Sequence, residues 1–347
     1  MSRVSSGVLA ATVLLSAATI GPSLTPEAAP APEGPDRPAD QTFLTYPEWF
    51  LVFSPDERAA YLEARRPPSA FPYVGHVEEL WEGYAAVREA IRTYPFNAGY
   101  HVMIVVIASS TTVEYGVEAA YETVVGRAFE VLPPAEPEDA FAARGARDYV
   151  QFIEVLPWYK FDFTSRLREL WAEPLPWGRT LPRALERRFW LTTEYAGKAL
   201  YGWLIAKATA AGYTPAALTT RVVVDRVPED AALTVPRLKR VGSGTEGVAA
   251  DVPRYQAFTD TAIALAREGV RFRRIAGNDG AIALTVIAPS GWHVPAGASY
   301  RELFAQPVLT VPGRERVMVV TRVPELADTL GGLAGSPGVT VEHVFDY

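Results

Sequence analysis

A ten-residue pattern that occurs twice constrains this chain more than any other feature. Thr112-Val113-Glu114-Tyr115-Gly116-Val117-Glu118-Ala119-Ala120-Tyr121 returns 80 residues on as Thr192-Thr193-Glu194-Tyr195-Ala196-Gly197-Lys198-Ala199-Leu200-Tyr201. Thr, Glu, Tyr, Ala and Tyr are identical between them, and Val125/Ile205 and Arg127/Lys207 extend the likeness. Steps of four, three and four put Glu114, Glu118, Tyr121 and Val125 on one helix face. Glu194, Lys198, Tyr201 and Ile205 fall on the matching face of the second helix. Both helices are otherwise apolar, so their polar stripes are expected to be partly buried, and burying a carboxylate without a partner is costly. Lys198 is the obvious partner, with the Tyr121 and Tyr201 hydroxyls as donors. The match is short and alanine is abundant, so it suggests a duplication and no more.

The plain reading of the stripes is a buried ion-pair network that fixes the register of two core helices. The functional reading is a catalyst: Glu114, Glu118 or Glu194, held at a raised pKa, acting as acid or base with Lys198, Tyr121 and Tyr201. Metal binding by the three glutamates is disfavoured, because carboxylate-bridged metal pairs recruit Glu-x-x-His, which the chain lacks. With no cysteine, disulfides, thiolate metal sites and a thiol nucleophile are excluded. The four histidines are scattered. His101 opens an apolar run and reads as packed or capping, His76 and His343 read as surface or edge residues, and His293 reads as exposed. Gly242-Ser243-Gly244-Thr245-Glu246-Gly247 spells the dinucleotide fingerprint, but the residues before it are too charged for a buried strand. Pro253 also leaves no room for a following helix, so the motif reads as a flexible loop between strand and helix. No cofactor and no metal are expected.

The chain changes character near residue 212. Before it, helical spacing and proline punctuation predict helices starting at Pro55 (capped by Ser54) and over about 77–91, 101–132, 138–156, 161–171 and 181–211. The long 101–132 helix carries an apolar row through Val106, Val113, Val117, Val124 and Val131. Between Pro157 and Leu191, Trp and Phe alternate with Arg and Lys; that density suits a membrane interface, stacking on sugars or, more simply, cation–π support for short helices. After residue 218, strands are expected at 221–227, 270–276, 281–288, 316–322 and 339–345, with helices at 255–268 and 324–334. Gly277-Asn278-Asp279-Gly280 reads as a hairpin turn. The fold expected is therefore α+β: a multi-helix domain over 42–214, then a ferredoxin-like split βαβ domain over 219–347. That second part holds 14 basic and 14 acidic residues, so the net charge of −7 lies wholly in residues 1–218. An acidic chain argues against a nucleic-acid partner and against an anionic-membrane footprint.

Residues 1–21 read as a signal peptide or membrane anchor. Arg3 precedes an uncharged stretch from Val4 to Gly21, whose most apolar part, Val8–Ile20, suits a secretory h-region. Counted whole, the stretch reaches about 27 Å as a helix, enough for a retained anchor. A disordered leader on a cytosolic protein is the remaining reading. Residues 22–41 hold six prolines and read as a semi-rigid linker. Spanning segments at Val102–Val113 and Phe189–Ile205 are disfavoured by the charges among them and by a mean hydropathy of +0.04.

Tyr46-Pro47-Glu48-Trp49, Ser110-Thr111-Thr112-Val113-Glu114-Tyr115-Gly116 and Thr193-Glu194-Tyr195-Ala196-Gly197-Lys198-Ala199-Leu200-Tyr201 resemble segments of a family of uncharacterised bacterial proteins that also begin with an apolar leader. The resemblance covers most of the chain after residue 42 and implies a bacterial envelope setting, with no activity attached. The expectation is an exported or tethered envelope protein acting as a binding or interaction module. Its partner would be an envelope protein or a small ligand, and residues 4–21 could reach the membrane. The alternative is a hydrolase or isomerase built on the carboxylate–lysine–tyrosine cluster.

Overall fold

Proline and side-chain caps set the limits of the helices. The computed structural model describes residues 55–156, 158–210, 218–228 and 238–345, so the leader, the linker, Ser54 and the Tyr46–Trp49 segment lie outside the described residues. Helix α1 is Pro55–Glu63 and α2 is Tyr73–Ala90. Helix α3 is Ala98–Tyr121; it starts where the Asn97 side chain accepts from the Tyr100 amide, and continues through a π turn, Glu122–Gly126, to Phe129. Helix α4 is Glu136–Ile153, and α5 is Phe163–Ala172 with Asp162 as its cap. Helix α6 is Leu181–Ala210. Among the described residues no strand precedes Thr219.

The six helices form two copies of one three-helix unit. Helix α1 lies along α4, α2 along α3, and α5 along α6. In each copy a 3₁₀ turn precedes the middle helix: Pro68–Ala70 in the first, Trp158–Lys160 in the second. The Trp81 indole donates to Thr112 Oγ1 at 3.0 Å, and the Trp171 indole to Thr192 Oγ1 at 3.0 Å. Phe71, Tyr73 and Tyr115 make one aromatic cluster; Phe161, Phe163 and Tyr195 make its counterpart. The shift between copies is 90 residues up to the tryptophans and 80 from the threonines onward, because α2 is longer than α5.

After residue 218 the chain builds two four-stranded antiparallel sheets. The strands are β1 Thr219–Val224, β2 Lys239–Gly244, β3 Gly247–Pro253, β4 Phe272–Ile275, β5 Ala281–Pro289, β6 Arg301–Pro307, β7 Arg314–Arg322 and β8 Thr340–Val344. Helix α7, Gln256–Arg267, joins β3 to β4, and α8, Leu326–Ala334, joins β7 to β8. The orders are β2-β3-β1-β4 and β6-β7-β5-β8, so one topology is used twice. Since β1 is antiparallel to both neighbours, β3 and β4 run parallel with β1 between them, which makes each unit a split βαβ crossover with an added edge strand. Val222 pairs Ala250 and Ile275; Leu284, 62 residues on, pairs Val319 and Val344, each 69 residues on. The seven-residue difference lies in the β6–β7 hairpin. Register breaks recur too, after Val223 and Thr285 and after Arg240 and Glu302. Gly269 and Gly338 hold φ of 70° and 72° at the same helix exit, a conformation that favours glycine.

The inner faces of both sheets share a core with α7 and α8, including Val222, Val252, Phe258, Leu284, Val319 and Leu330. The second sheet is covered on its other face as well: Ala283, Met318 and Val320 pack against Leu80, Tyr84, Ile104 and Ala108 of α2 and α3. At this junction Arg316 on β7 donates to Glu57 on α1 at 2.9 Å and to Glu342 on β8 at 2.7 Å. The helical part and the second sheet therefore share buried surface.

Four expectations need correction. The single ferredoxin-like unit is replaced by two sheets, because strands β2, β3 and β6 carry glycine or charge and do not alternate clearly. The Gly242–Gly247 motif is the tight β2–β3 hairpin, with Thr245-Glu246 at its tip, and does not lead into a helix. Gly277–Gly280 connects two different sheets; locally it makes only the Ile275–Asn278 bridge. His76 and His343 are buried rather than at the surface.

Candidate functional site

Helices α3 and α6 pack antiparallel, and their polar stripes meet. Lys198 lies 3.0 Å from Glu114, Tyr121 stacks on Trp190 at 4.1 Å, and Arg187 donates to Glu122 at 2.7 Å. Numbers climb along one helix as they fall along the other. Into the middle of this seam α1 sends Arg58, which donates to Glu118 and lies 3.4 Å from Glu194. The Tyr73 hydroxyl also donates to Glu118, at 3.2 Å, and Lys198 donates to Glu194 at 2.6 Å. Lys198 stands 5.9 Å from the Tyr149 ring centroid. The result is one continuous network: Glu114, Lys198, Glu194, Arg58, Glu118, Tyr73.

The two ends of that network differ in exposure. The Glu114 side chain is 40% exposed, whereas Glu118, near the other end, is 3% exposed. Three carboxylates share two cations, so one negative charge is left over when all are ionised. Burial pushes the Glu118 carboxyl up, against the pull of Arg58. Burial also opposes ionisation of Glu194, but Lys198 and Arg58 outweigh it and hold that carboxyl low. For Lys198, burial is overcome by Glu114 and Glu194, which keep its ammonium charged well above the usual range. The seam can thus store a proton at Glu118, but its walls leave little access for a substrate.

The structure divides the six candidate residues. Glu114, Glu118, Glu194 and Lys198 share the network. Tyr121 belongs to a second cluster, donating to Glu186 at 2.8 Å beside Arg187, Arg183 and Glu122. The π turn is what aims Glu122 at this cluster, folding its carboxyl over Gly126. Tyr201 is in neither; it stacks on Trp158 at 5.2 Å. A third buried pair, Arg188 with Glu138 at 2.9 Å, is completed by the Glu173 and Pro174 carbonyls. Sequence reasoning missed Arg58, Tyr73 and Tyr149. Periodicity carried no signal for Arg58, since its helix comes from a different part of the chain. The repeated Glu-Leu-Trp at 79–81 and 169–171 was a legible sign of the duplication.

At the junction with the second sheet, His76 lies 3.8 Å from both Glu57 and Glu79. Burial, with Arg316 nearby, lowers His76 to about 4, and burial beside Glu57 raises Glu79 to about 7. Among the described residues, no group of three or more His, Asp or Glu is arranged to hold a metal ion.

The outer side of the same helix pair is bare. Val102, Val106, Val113, Val117 and Val124 on α3 are 36–70% exposed, and Leu185, Phe189, Leu200 and Trp203 on α6 are 43–62% exposed. The apolar row that reads as core in the sequence faces solvent, because the carboxylate stripe and the aromatic cluster take the inward positions. Ala98–Phe129 is long and apolar enough to cross a membrane, yet Tyr100, Ile104 and Ala108 are packed against the second sheet. No protein-family model, curated protein or solved structure matches this chain.

Proposed function

We propose that this is an exported or membrane-tethered envelope protein that works by binding. The observation that carries the reading is the contrast between the two sides of the α3–α6 pair: every ionisable group of the inner stripe is engaged by a neighbour, and the outer side is free of charge. Such a surface costs solubility and is retained where something covers it. The uncharged Val4–Gly21 stretch and the proline-rich segment after it support the envelope setting. The split βαβ crossover in each sheet supports a ferredoxin-like ancestry for the second part, a fold that implies no chemistry by itself. The test is fractionation of cells making the full chain, combined with fusion to a reporter active only outside the cytoplasm. Recovery of the full-length chain in the soluble cytoplasmic fraction, with a silent reporter, would sink the reading.

The hydrolase or isomerase alternative draws support from one observation, the raised Glu118 carboxyl beside Arg58 and Tyr73. It requires a route for substrate past α1, where the Glu118 and Glu194 side chains are 3% and 10% exposed.

A further inference from the structure

We propose that the outer face of α3 and α6 seats on a lipid bilayer, with both helices lying in the membrane plane and the two sheets held above it. The inference rests on the envelope-binding reading above and names its partner.

On α3 the exposed row lies about 100° from the stripe that meets the other helix, and on α6 about 160°, in the same rotational sense, counted at about 100° per residue. Because equivalent helices run antiparallel, that relation turns both rows the same way. The α3 row runs uncharged from Val102 to Val124, 22 residues or about 33 Å at 1.5 Å per residue. The α6 row adds Leu185, Phe189, Leu200 and Trp203, 43–62% exposed, and exposed apolar patches beyond about 300–600 Å² mark interaction sites.

The edges of the face identify the occupant. The α3 row gives way to Arg127, and the α6 row to Lys207; both are exposed. These are equivalent positions of the two repeats, so antiparallel packing sends them to opposite ends of the face. Long cationic side chains at the ends of an apolar stripe reach phosphate while their stems stay in the apolar layer. Aromatic residues sit at both ends too: Trp177, 93% exposed, where α6 begins, and Phe96, 77% exposed, where α3 begins. Indole and phenyl rings at the rim of an apolar band are the mark of a headgroup boundary. A second copy would cover the same rows with identical rows, and would offer Arg127 and Lys207 no phosphate.

The chain outside the described residues points the same way. Val4–Gly21 is a second uncharged segment, and 33 residues, 22–54, separate it from Pro55. A single modest anchor binds a membrane reversibly, and two in one chain bind it stably. Spanning is not required: an in-plane helix inserts its apolar face about 5–10 Å.

The experiment is vesicle flotation of the full chain on phosphatidylcholine alone and on phosphatidylcholine with one-quarter phosphatidylglycerol. Four proteins are compared: the unaltered chain; a face variant, Val117→Asp with Leu200→Asp; a leader variant, Val8→Asp with Leu14→Asp; and a rim variant, Arg127→Gln with Lys207→Gln. The face variant is expected to lose at least tenfold in partitioning at an unchanged thermal midpoint, since both positions are exposed. The leader variant should keep measurable binding through the face, and the rim variant should lose more on the anionic vesicles than on the neutral ones. Undiminished flotation of the face variant overturns the proposal. So does light scattering that shows a dimer broken by the face variant while vesicle binding is unaffected, which assigns the surface to a second copy. A protein shown to be exported that ignores both vesicles overturns this inference and leaves the envelope reading standing.

Discussion

Removing Arg58 tests the electrostatics of the seam. Arg58 is the cation shared by Glu118 and Glu194, and its side chain is 16% exposed. Arg58→Met keeps much of the stem volume but leaves Glu118 with only the Tyr73 hydroxyl and Glu194 with Lys198. Breaking a buried ion pair from one side costs about 3–5 kcal/mol. For a chain of this size, at about 2.1 cal/mol/K of unfolding entropy per residue, that corresponds to a fall of roughly 4–7 °C in thermal midpoint. The loss should depend on pH in a definite direction. Burial already raises Glu118, and without Arg58 it rises further, so the folded state binds its proton more tightly than the unfolded chain does. Stability then falls as pH rises from the unfolded carboxylate value, about 4.3, towards the folded one. The penalty should therefore be full near pH 8.5 and much smaller near pH 5. Glu118→Gln in the Arg58→Met background should recover more than half of it at the higher pH. Urea unfolding of the two single variants and the double at both pH values completes the cycle. A penalty independent of pH, or a double variant no more stable than Arg58→Met alone, would refute a charge-sharing seam.

Three further outcomes follow from the geometry. Glu79→Gln should stabilise the protein by on the order of 2 kcal/mol at pH 8.5 and by little at pH 4.5, because the cost of ionising Glu79, raised to about 7, builds up between its unfolded and folded values and is full above the folded one; equal effects at both pH values in thermal melts would contradict this. Trp81→Phe and Trp171→Phe each remove one indole-to-threonine bond and should cost about 1 kcal/mol apiece, equally within error, as equivalent positions of a repeat require; a strong inequality in chemical denaturation would argue against the equivalence. Gly338→Ala places a side chain at φ 72°, with Pro289 Cγ 3.1 Å from the new Cβ, and should lose about 1–3 kcal/mol; no loss would mean that the α8 exit is less constrained than its geometry indicates.

The helices were readable because apolar spacing and proline mark them in the local sequence, as at Pro55; the caps Asn97 and Asp162, which carried no weight in that reading, move two starts from the expected 101 and 161 to Ala98 and Phe163. The helices' inside and outside were not readable. Val106 and Val113 have the spacing of core residues, but the inward side of α3 belongs to the Glu114–Tyr121 stripe, and hydrophobicity alone cannot show which of two apolar sides is covered. The site was half legible: helical spacing joined Glu114, Glu118, Glu194 and Lys198, whereas Arg58 enters from another helix and Tyr121 is claimed by Glu186. The second sheet was hidden for a different reason. Its unit matches the first in register and bulges but shares few residues, Val224/Val286 and Gly269/Gly338 among them. Backbone pairing tolerates nearly any side chain of suitable polarity, so topology outlasts sequence.

The helical repeats differ where they matter most to each other. The 90-residue shift sets Arg58 against Asp148, and the 80-residue shift sets Glu118 against Lys198. Both positions have opposite sign in the two copies. Two first halves facing each other would bring four carboxylates to the seam, Glu114 and Glu118 from each, against two arginines. The halves are thus complementary rather than interchangeable, like the two differently charged faces of a heterodimer. Joining them in one chain secures the right pairing at every synthesis, and exchanging one half for a second copy of the other should yield a protein that assembles poorly although every helix is still present.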